Sequence, residues 1–404
     1  MKAVIYGAGN IGRGFIAQLF CESGYDIVFI DIDKALIDEI NTKKEYPVKF
    51  AAFDKDDISD APEIVIKNIS GIDGKNINEV VNAIAEADIM ATSVGVNVLN
   101  YIMETLALGI NTRFKSKNYE PLNIILCENL INAEKHMVNG VSPYIDREYR
   151  ELFAEKIGFV GAAIGRTVPM QTAEMKDDNP LRIVTEDYDY LPVDKEALKG
   201  DVPNIKNLVA YSPFKYFIER KLLLHNMGHA FCAYTGDIFG YDNLYEVLEN
   251  PHIEIMTLRV MQRSALALSK IYGADILELN KYTENLINRF SNKALGDTVK
   301  RVGKDLKRKL SPNDRIIGAY NICMKAKVSV NYFCFLIAAA VNYKGDELSG
   351  KSLEEILNAA GSYDDVKENI ELIKKYDRII KAGTTPEELN RILKIDESVE
   401  NITI

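Results

Sequence analysis

The 404 residues are 47% hydrophobic and 27% charged, a composition that belongs to a globular chain of two or three domains and excludes a disordered one. Lysine and arginine number 49 against 59 aspartate and glutamate, a net charge of −10, which argues against nucleic acid or an anionic membrane surface as partner. The five cysteines (Cys21, Cys127, Cys232, Cys323 and Cys334) form no C-x-x-C pair, so neither a disulfide framework nor a zinc knuckle is expected, and a reducing, cytoplasmic setting is. No secretory leader is read at the start, and the longest charge-free apolar run, residues 332–341, is about half of a bilayer span.

In chain order, residues 2–6 read as a strand, a glycine-rich turn follows, and residues 11–23 carry helical spacing. Residues 26–30 read as a second strand and 34–42 as a second helix. Strands are expected within 57–69, an amphipathic helix over 77–87, a strand over 88–93 ending in a turn at Gly95, and another buried strand over 123–127. This alternation predicts an α/β domain of Rossmann type with a doubly wound, mostly parallel sheet. Residues 169–208 bring Pro169, Pro180, Pro192 and Pro203 among many acids, the tail of that domain and a connection. From Ser212 the apolar spacing is three-and-four, so the second domain is predicted to be mostly α-helical. The expected organisation is 1–200 nucleotide binding, 201–385 helical and catalytic, and 386–404 a peripheral tail.

Gly7-Ala8-Gly9-Asn10-Ile11-Gly12 is G-x-G-x-x-G between a strand and a helix, and Asp31 ends the next strand nineteen residues beyond Gly12. In that context the motif reads as a dinucleotide site. Gly7 permits the tight turn, Gly9 lets backbone approach the pyrophosphate, and Gly12 lets helix and strand pack. The backbone at Asn10 and Ile11 opens the helix whose free N–H groups face the phosphates. Asp31 suits ribose hydroxyls and repels a 2′-phosphate, so NAD is the expected cofactor. Ser93 and Gly95 close a later strand, where a parallel sheet borders its ligand.

Residues 218–230 hold the densest chemistry of the second half. At about 100° per residue with Lys221 at zero, His225, His229 and Asn226 fall near 40°, 80° and 140°. Leu223, Leu224, Met227, Ala230 and Phe231 occupy the other side. One face is therefore core and the other carries an amine, an amide and two imidazoles. Oxidising an alcohol needs a base for the hydroxyl proton and donors for the developing alkoxide. A lysine whose pKa is lowered by burial can be that base. No His/Cys/Asp/Glu grouping has zinc spacing, so no metal is expected. His136 and His252 have no partner pattern.

At Lys221-x4-Asn226-x2-His229 the chain resembles the polyol-specific long-chain dehydrogenase family. Further segments resemble a branch acting on a mannitol phosphate: the run from Gly7 to Phe15, Cys127-Glu128-Asn129, Val193-Asp194-Lys195 before Lys199-Gly200, Glu219 to Leu222, Gly228-His229-Ala230, and Arg308 to Arg315. The resemblance runs in order over residues 1–380. It implies zinc-independent, NAD-linked interconversion of D-mannitol 1-phosphate and D-fructose 6-phosphate in a cleft between the two domains. An unphosphorylated polyol or a hexuronate is the alternative substrate. It also implies Lys221 as general base, Asn226 with Asn129 on the reacting oxygen, and His229 orienting the substrate or the lysine. The family's Asp-Arg-x-x-Pro motif stands here as Gly165-Arg166-Thr167-Val168-Pro169, and Gly95-Val96-Asn97 replaces a common Gly-Pro. His225 lies outside the motif and reads as a satisfied, partly buried histidine or a neighbour that tunes Lys221.

A sugar phosphate needs cations. Lys300, Arg301, Lys304, Lys307, Arg308, Lys309 and Arg315 cluster on an acidic chain, and arginine forks suit phosphate. Arg308 and Arg315, with Arg166, are the candidate substrate cations. A small-molecule partner and a monomer or weak homo-oligomer complete the expectation.

Overall fold

The computed structural model describes residues 1–51, 61–128, 130 and 132–402. The chain divides into two compact units, Met1–Lys215 and Tyr216–Ile404.

The first unit is built on a six-stranded sheet in the order β5-β2-β1-β6-β7-β8. Its strands are β1 (Lys2–Tyr6), β2 (Asp26–Asp31), β5 (Ile69–Asp73), β6 (Ile89–Thr92), β7 (Leu122–Leu126) and β8 (Ile157–Gly161). All five pairings are parallel, so the order reverses beside β1, where such sheets bind their ligand. Alternation along β1 explains why both faces need cover. Ala3 and Ile5 enter one apolar core while Val4 and Tyr6 enter another, the two-sided burial typical of parallel strands. β3 (Tyr46–Ala51), β4 (Glu63–Ile66) and β9 (Ile183–Glu186) form a second sheet in the order β4-β3-β9.

Of the strands expected within 57–69, β4 and the start of β5 occupy its later part, and residues 57–60 lie outside the described residues. The strand β3 and the 17-residue helix Leu99–Lys115 are features the sequence reading did not place. The helix expected over 11–23 begins as a π turn, Gly12–Ile16, before the α-helix Ala17–Glu22.

The boundary expected at residue 200 falls instead after Lys215. The reason is pairing: β10 (Leu191–Asp194) is hydrogen-bonded in parallel to β11 (Leu208–Tyr211), which keeps the intervening chain in the first unit.

The second unit is helical. Its centre is Asn331–Val341, buried at every position, so the run expected to be too short for a bilayer is a core helix apolar all round. Among the described residues no helix is long and apolar enough to cross a membrane. The segment expected to be a peripheral tail is the helix Pro386–Ile402. Leu389 and Leu393 are fully buried, and Asp396 accepts from Lys375 Nζ at 2.7 Å and Tyr376 Oη at 2.9 Å. All five cysteines are free thiols.

Candidate active site

In the first unit the glycine loop has the form a dinucleotide requires. Gly7 has φ 103°, and a Cβ there would stand 2.6 Å from the Ser93 carbonyl oxygen. Ser93 Oγ donates to the Gly7 carbonyl at 2.8 Å, so the turn after β1 is tied to the end of β6. A Cβ at Gly12 would meet Ser93 Oγ at 2.7 Å and the Gly7 carbonyl closer still. At Gly9, by contrast, nothing stands within 4 Å of the Cβ position. The loop is therefore packed on its inner side and open where backbone must approach a pyrophosphate. Asp31 accepts from the Ala8 N–H at 2.7 Å and the Asp33 N–H at 3.0 Å, which aims its carboxylate at the loop. These residues fit a dinucleotide.

The other expected residues of this unit divide. Asn10 donates its amide to the Pro169 carbonyl at 3.0 Å, and Ile11 packs on the core, so their contribution to a ligand is backbone. Gly95 is exposed, at φ 87°. Glu128, quoted above only as part of a motif, accepts from Thr92 Oγ1 at 2.6 Å and Val94 N at 3.0 Å. Burial raises its carboxyl pKa while those bonds pull it down, and it holds the loop after β6. Asn129 lies outside the described residues.

Arg166 is not placed as the expected substrate cation. It is 4% exposed, donates Nε to the Tyr188 carbonyl at 2.6 Å, and gives Nη1 to the Gly14 carbonyl and Gln18 Oε1. Its guanidinium lies over the Phe15 and Phe50 rings. It is a strut inside the first unit. The glycine before it has a matching cause, because a Cβ at Gly165 would stand 2.7 Å from Tyr188 Cε1, and an acidic side chain would need Tyr188 elsewhere.

In the second unit one continuous helical run carries the expected face: α-helix Lys215–Arg220, π turn Lys221–Asn226 and α-helix Met227–Phe239. An α-helix would put Asn226 about 140° from Lys221. At about 82° per residue the wider π turn brings Asn226 to about 50° on one side and His225 to about −32° on the other. Ser264 Oγ, from the helix Pro251–Tyr272, donates to the Leu223 carbonyl inside this turn at 2.7 Å, a local cause for its altered ladder. The amine is thus flanked by amide and imidazole.

Burial, and behind it the like charge of Arg315, push the Lys221 ammonium down to about 8 from 10.5. Among the described residues the Asn226 amide makes no hydrogen bond. His229 Nε2 faces Asp297 Oδ2 at 2.8 Å, and the other Asp297 oxygen pairs with Arg301. Phe290 stacks on the imidazole at 5.0 Å. Burial, then Arg301, Arg315, Lys309 and Arg289, hold His229 well below its ordinary pKa. The ring is neutral, Nε2–H donates to Asp297, and Nδ1 is left as an acceptor. Asp297 had no signal in the sequence; its loop is held by the antiparallel bridge Asn243–Thr298.

The basic cluster separates by partner. Arg308, the second expected substrate cation, spends its fork on Asp305 and Asp314 at 3.2 and 3.1 Å. It lines an open pocket of about 710 Å³ with Lys304, Lys307, Asp346 and Glu347, where acids offset the bases. Lys309 is buried and caps the Val302 and Lys304 carbonyls. Arg315 is different. It is 8% exposed, its Nε donates to Asp314 at 2.7 Å, and its terminal nitrogens make no hydrogen bond among the described residues. Its charge depresses Lys221, His225 and His229 alike, which sets it at the same face.

Family models match both units: the mannitol dehydrogenase Rossmann domain over residues 1–207 and the mannitol dehydrogenase C-terminal domain over 214–390. Mannitol-1-phosphate 5-dehydrogenase of Brevibacillus brevis is 36% identical over 343 residues, 85% of this chain and 86% of that protein. The enzyme of the same name from Thermoanaerobacter pseudethanolicus is 36% identical over 360 residues, 89% and 90% of the two chains. In fold the chain is similar to a substrate-free D-sorbitol dehydrogenase, with TM-score 0.75, 16% identity and coverage of 94% and 92%. It is also similar to Pseudomonas fluorescens mannitol 2-dehydrogenase in complex with NAD and D-mannitol, with TM-score 0.66, 14% identity and coverage of 95% and 91%.

Proposed function

Because the chain belongs to the mannitol dehydrogenase family and is an oxidoreductase of the dehydrogenase class, we propose that it interconverts D-mannitol 1-phosphate and D-fructose 6-phosphate with NAD. The observation that carries this reading is the helix face of Lys221–Asn226 and Met227–Phe239, where the Lys221 amine, its pKa pulled down by burial, stands with the Asn226 amide and the His229 imidazole. NAD, when bound, accepts the hydride from the alcohol carbon.

The chain's own residues do the rest. The loop Gly7–Gly12 and Asp31 hold the dinucleotide, with the Asp31 carboxylate selecting against a 2′-phosphate. Neutral Lys221 removes the hydroxyl proton during oxidation and, as ammonium, returns it during reduction. Asn226 donates its amide N–H to the oxygen as negative charge develops, and an amide brings no charge of its own to disturb the lysine. His229, pinned by Asp297 and Phe290, accepts a substrate hydroxyl on Nδ1. Asn129 is a second amide for the reacting oxygen by resemblance. Arg315 offers to the phosphate two guanidinium nitrogens that make no hydrogen bond among the described residues. Arg166 takes no part because it is buried inside the first unit, its Nη2 included, and Arg308 because its fork is paired with Asp305 and Asp314.

An NADH absorbance assay with fructose 6-phosphate, fructose and fructuronate tests the reading. Fructose 6-phosphate is expected to give the highest kcat/KM. Preference for either unphosphorylated sugar would overturn the phosphate assignment, and no turnover on any of them would overturn the function.

A further inference from the structure

The mechanism above leaves His225, on the same helical run as Lys221, unused. His225 is 8% exposed, and its Nδ1 is sealed from solvent with no hydrogen-bond partner. Nε2 also makes no hydrogen bond among the described residues, yet it is not sealed. The expected satisfied histidine is therefore not what the fold provides. The ring stands 5.5 Å from Phe290 and 6.2 Å from His229, centroid to centroid, with Leu223 and Leu224 buried beside it in sequence.

A buried polar group without a partner is a net cost, and a leucine here would continue the apolar side without it. Among the described residues nothing pairs with either ring nitrogen, and Nε2 is the one that a group from outside can reach. The proton belongs on Nε2, which still reaches open space. A sealed lone pair at Nδ1 is more easily tolerated than a sealed N–H. Burial and the charges of Arg289, Lys221 and Arg315, with His229, keep the ring neutral. A neutral donor in a positive surrounding suits an oxygen acceptor and repels a cation.

We propose that His225 is a substrate-contacting residue whose Nε2–H donates to a sugar oxygen of the bound polyol or ketose. This rests on the function proposed above. It adds a specificity contact at a position outside the motif Lys221-x4-Asn226-x2-His229.

The test compares wild type with His225→Leu, which removes the donor, and His225→Gln, whose amide N–H reaches about as far as Nε2. Steady-state reduction of fructose 6-phosphate, and of fructose as the unphosphorylated comparison, is followed with NADH on the full chain. His225→Leu is expected to raise the sugar KM about tenfold, leaving the NADH KM unchanged and kcat within about threefold. His225→Gln should return the sugar KM to within about threefold of wild type. A loss on both sugars assigns the oxygen to a hydroxyl, and a loss on fructose 6-phosphate alone assigns it to the phosphate; either supports the contact. Without ligand, His225→Leu should melt at the wild-type temperature or above. An unchanged sugar KM in His225→Leu, failure of His225→Gln to rescue, or a leucine variant that melts lower or does not fold would each overturn the proposal. Wild type inactive on every sugar would instead overturn the function and this contact with it.

Discussion

The proton on Lys221 sets the pH range in which the amine can act, and the structure gives the range a value. With a pKa of about 8, about one Lys221 in ten is neutral at pH 7, against about one in 3,000 for an ordinary lysine. Burial beside Arg315 thus enlarges the population of active base about 300-fold at pH 7. In the oxidation direction, kcat/KM for mannitol 1-phosphate is expected to rise about tenfold per pH unit below about pH 8 and to level above it. Reduction of fructose 6-phosphate needs the ammonium and should decline over the same range. Arg315→Gln removes a like charge, so the break should move upward, but only part of the way toward 10.5 because burial is the larger cause. Initial rates between pH 6 and 10, by NADH absorbance, read both profiles. A wild-type break near pH 10, a break moved downward by Arg315→Gln, or the same break surviving in the residual activity of Lys221→Ala would refute the reasoning.

The same proton has a stability signature. The unfolded chain keeps it to about 10.5 and the folded chain loses it near 8, so the unfolded state binds more protons in between and Lys221's contribution to stability rises with pH there. Lys221→Met should therefore gain most over wild type below pH 8 in urea unfolding, and lose that advantage between pH 8 and 10.5. Arg166→Met leaves the Gly14 and Tyr188 carbonyls without their donor and is expected to cost about 2–4 kcal/mol in thermal unfolding, with the sugar KM unchanged. Gly165→Ala places a Cβ 2.7 Å from Tyr188 Cε1 and should cost about 1–3 kcal/mol; adding Tyr188→Leu should recover part of it, and strict additivity would show the two do not meet. Asp31→Ser removes the repulsion of a 2′-phosphate and is expected to raise the NADPH-to-NADH ratio of kcat/KM at least about tenfold.

The glycine turn of the first unit was legible because its determinants are local. Gly7, Gly9, Gly12 and Asp31 lie within two strands and one helix of each other, and the turn from strand into helix leaves no room for a Cβ at Gly7 or Gly12. The lysine face was legible for a similar reason: Lys221, His225 and His229 repeat at helical spacing with leucines opposite. The π turn was not legible, because it depends on Ser264 reaching the Leu223 carbonyl from another helix. Nor was Asp297, which meets His229 from 68 residues away.

Side-chain type alone could not separate the arginines. Arg166, Arg308 and Arg315 are equal as forks in the sequence. The fold buries the first against backbone carbonyls, neutralises the second with two aspartates and leaves the third with free nitrogens beside the amine. Short-range order follows from backbone sterics and hydrophobic period, which neighbouring residues carry in full, and so the amino-acid order alone determined the glycine turn, the strand–helix alternation and the polar helix face. Desolvation and partnership are properties of what surrounds a group after the chain has closed, so only the tertiary structure decided that burial lowers the Lys221 and Lys309 amines and, among the described residues, that the His225 ring stays unsatisfied and the Arg315 terminal nitrogens stay unpaired.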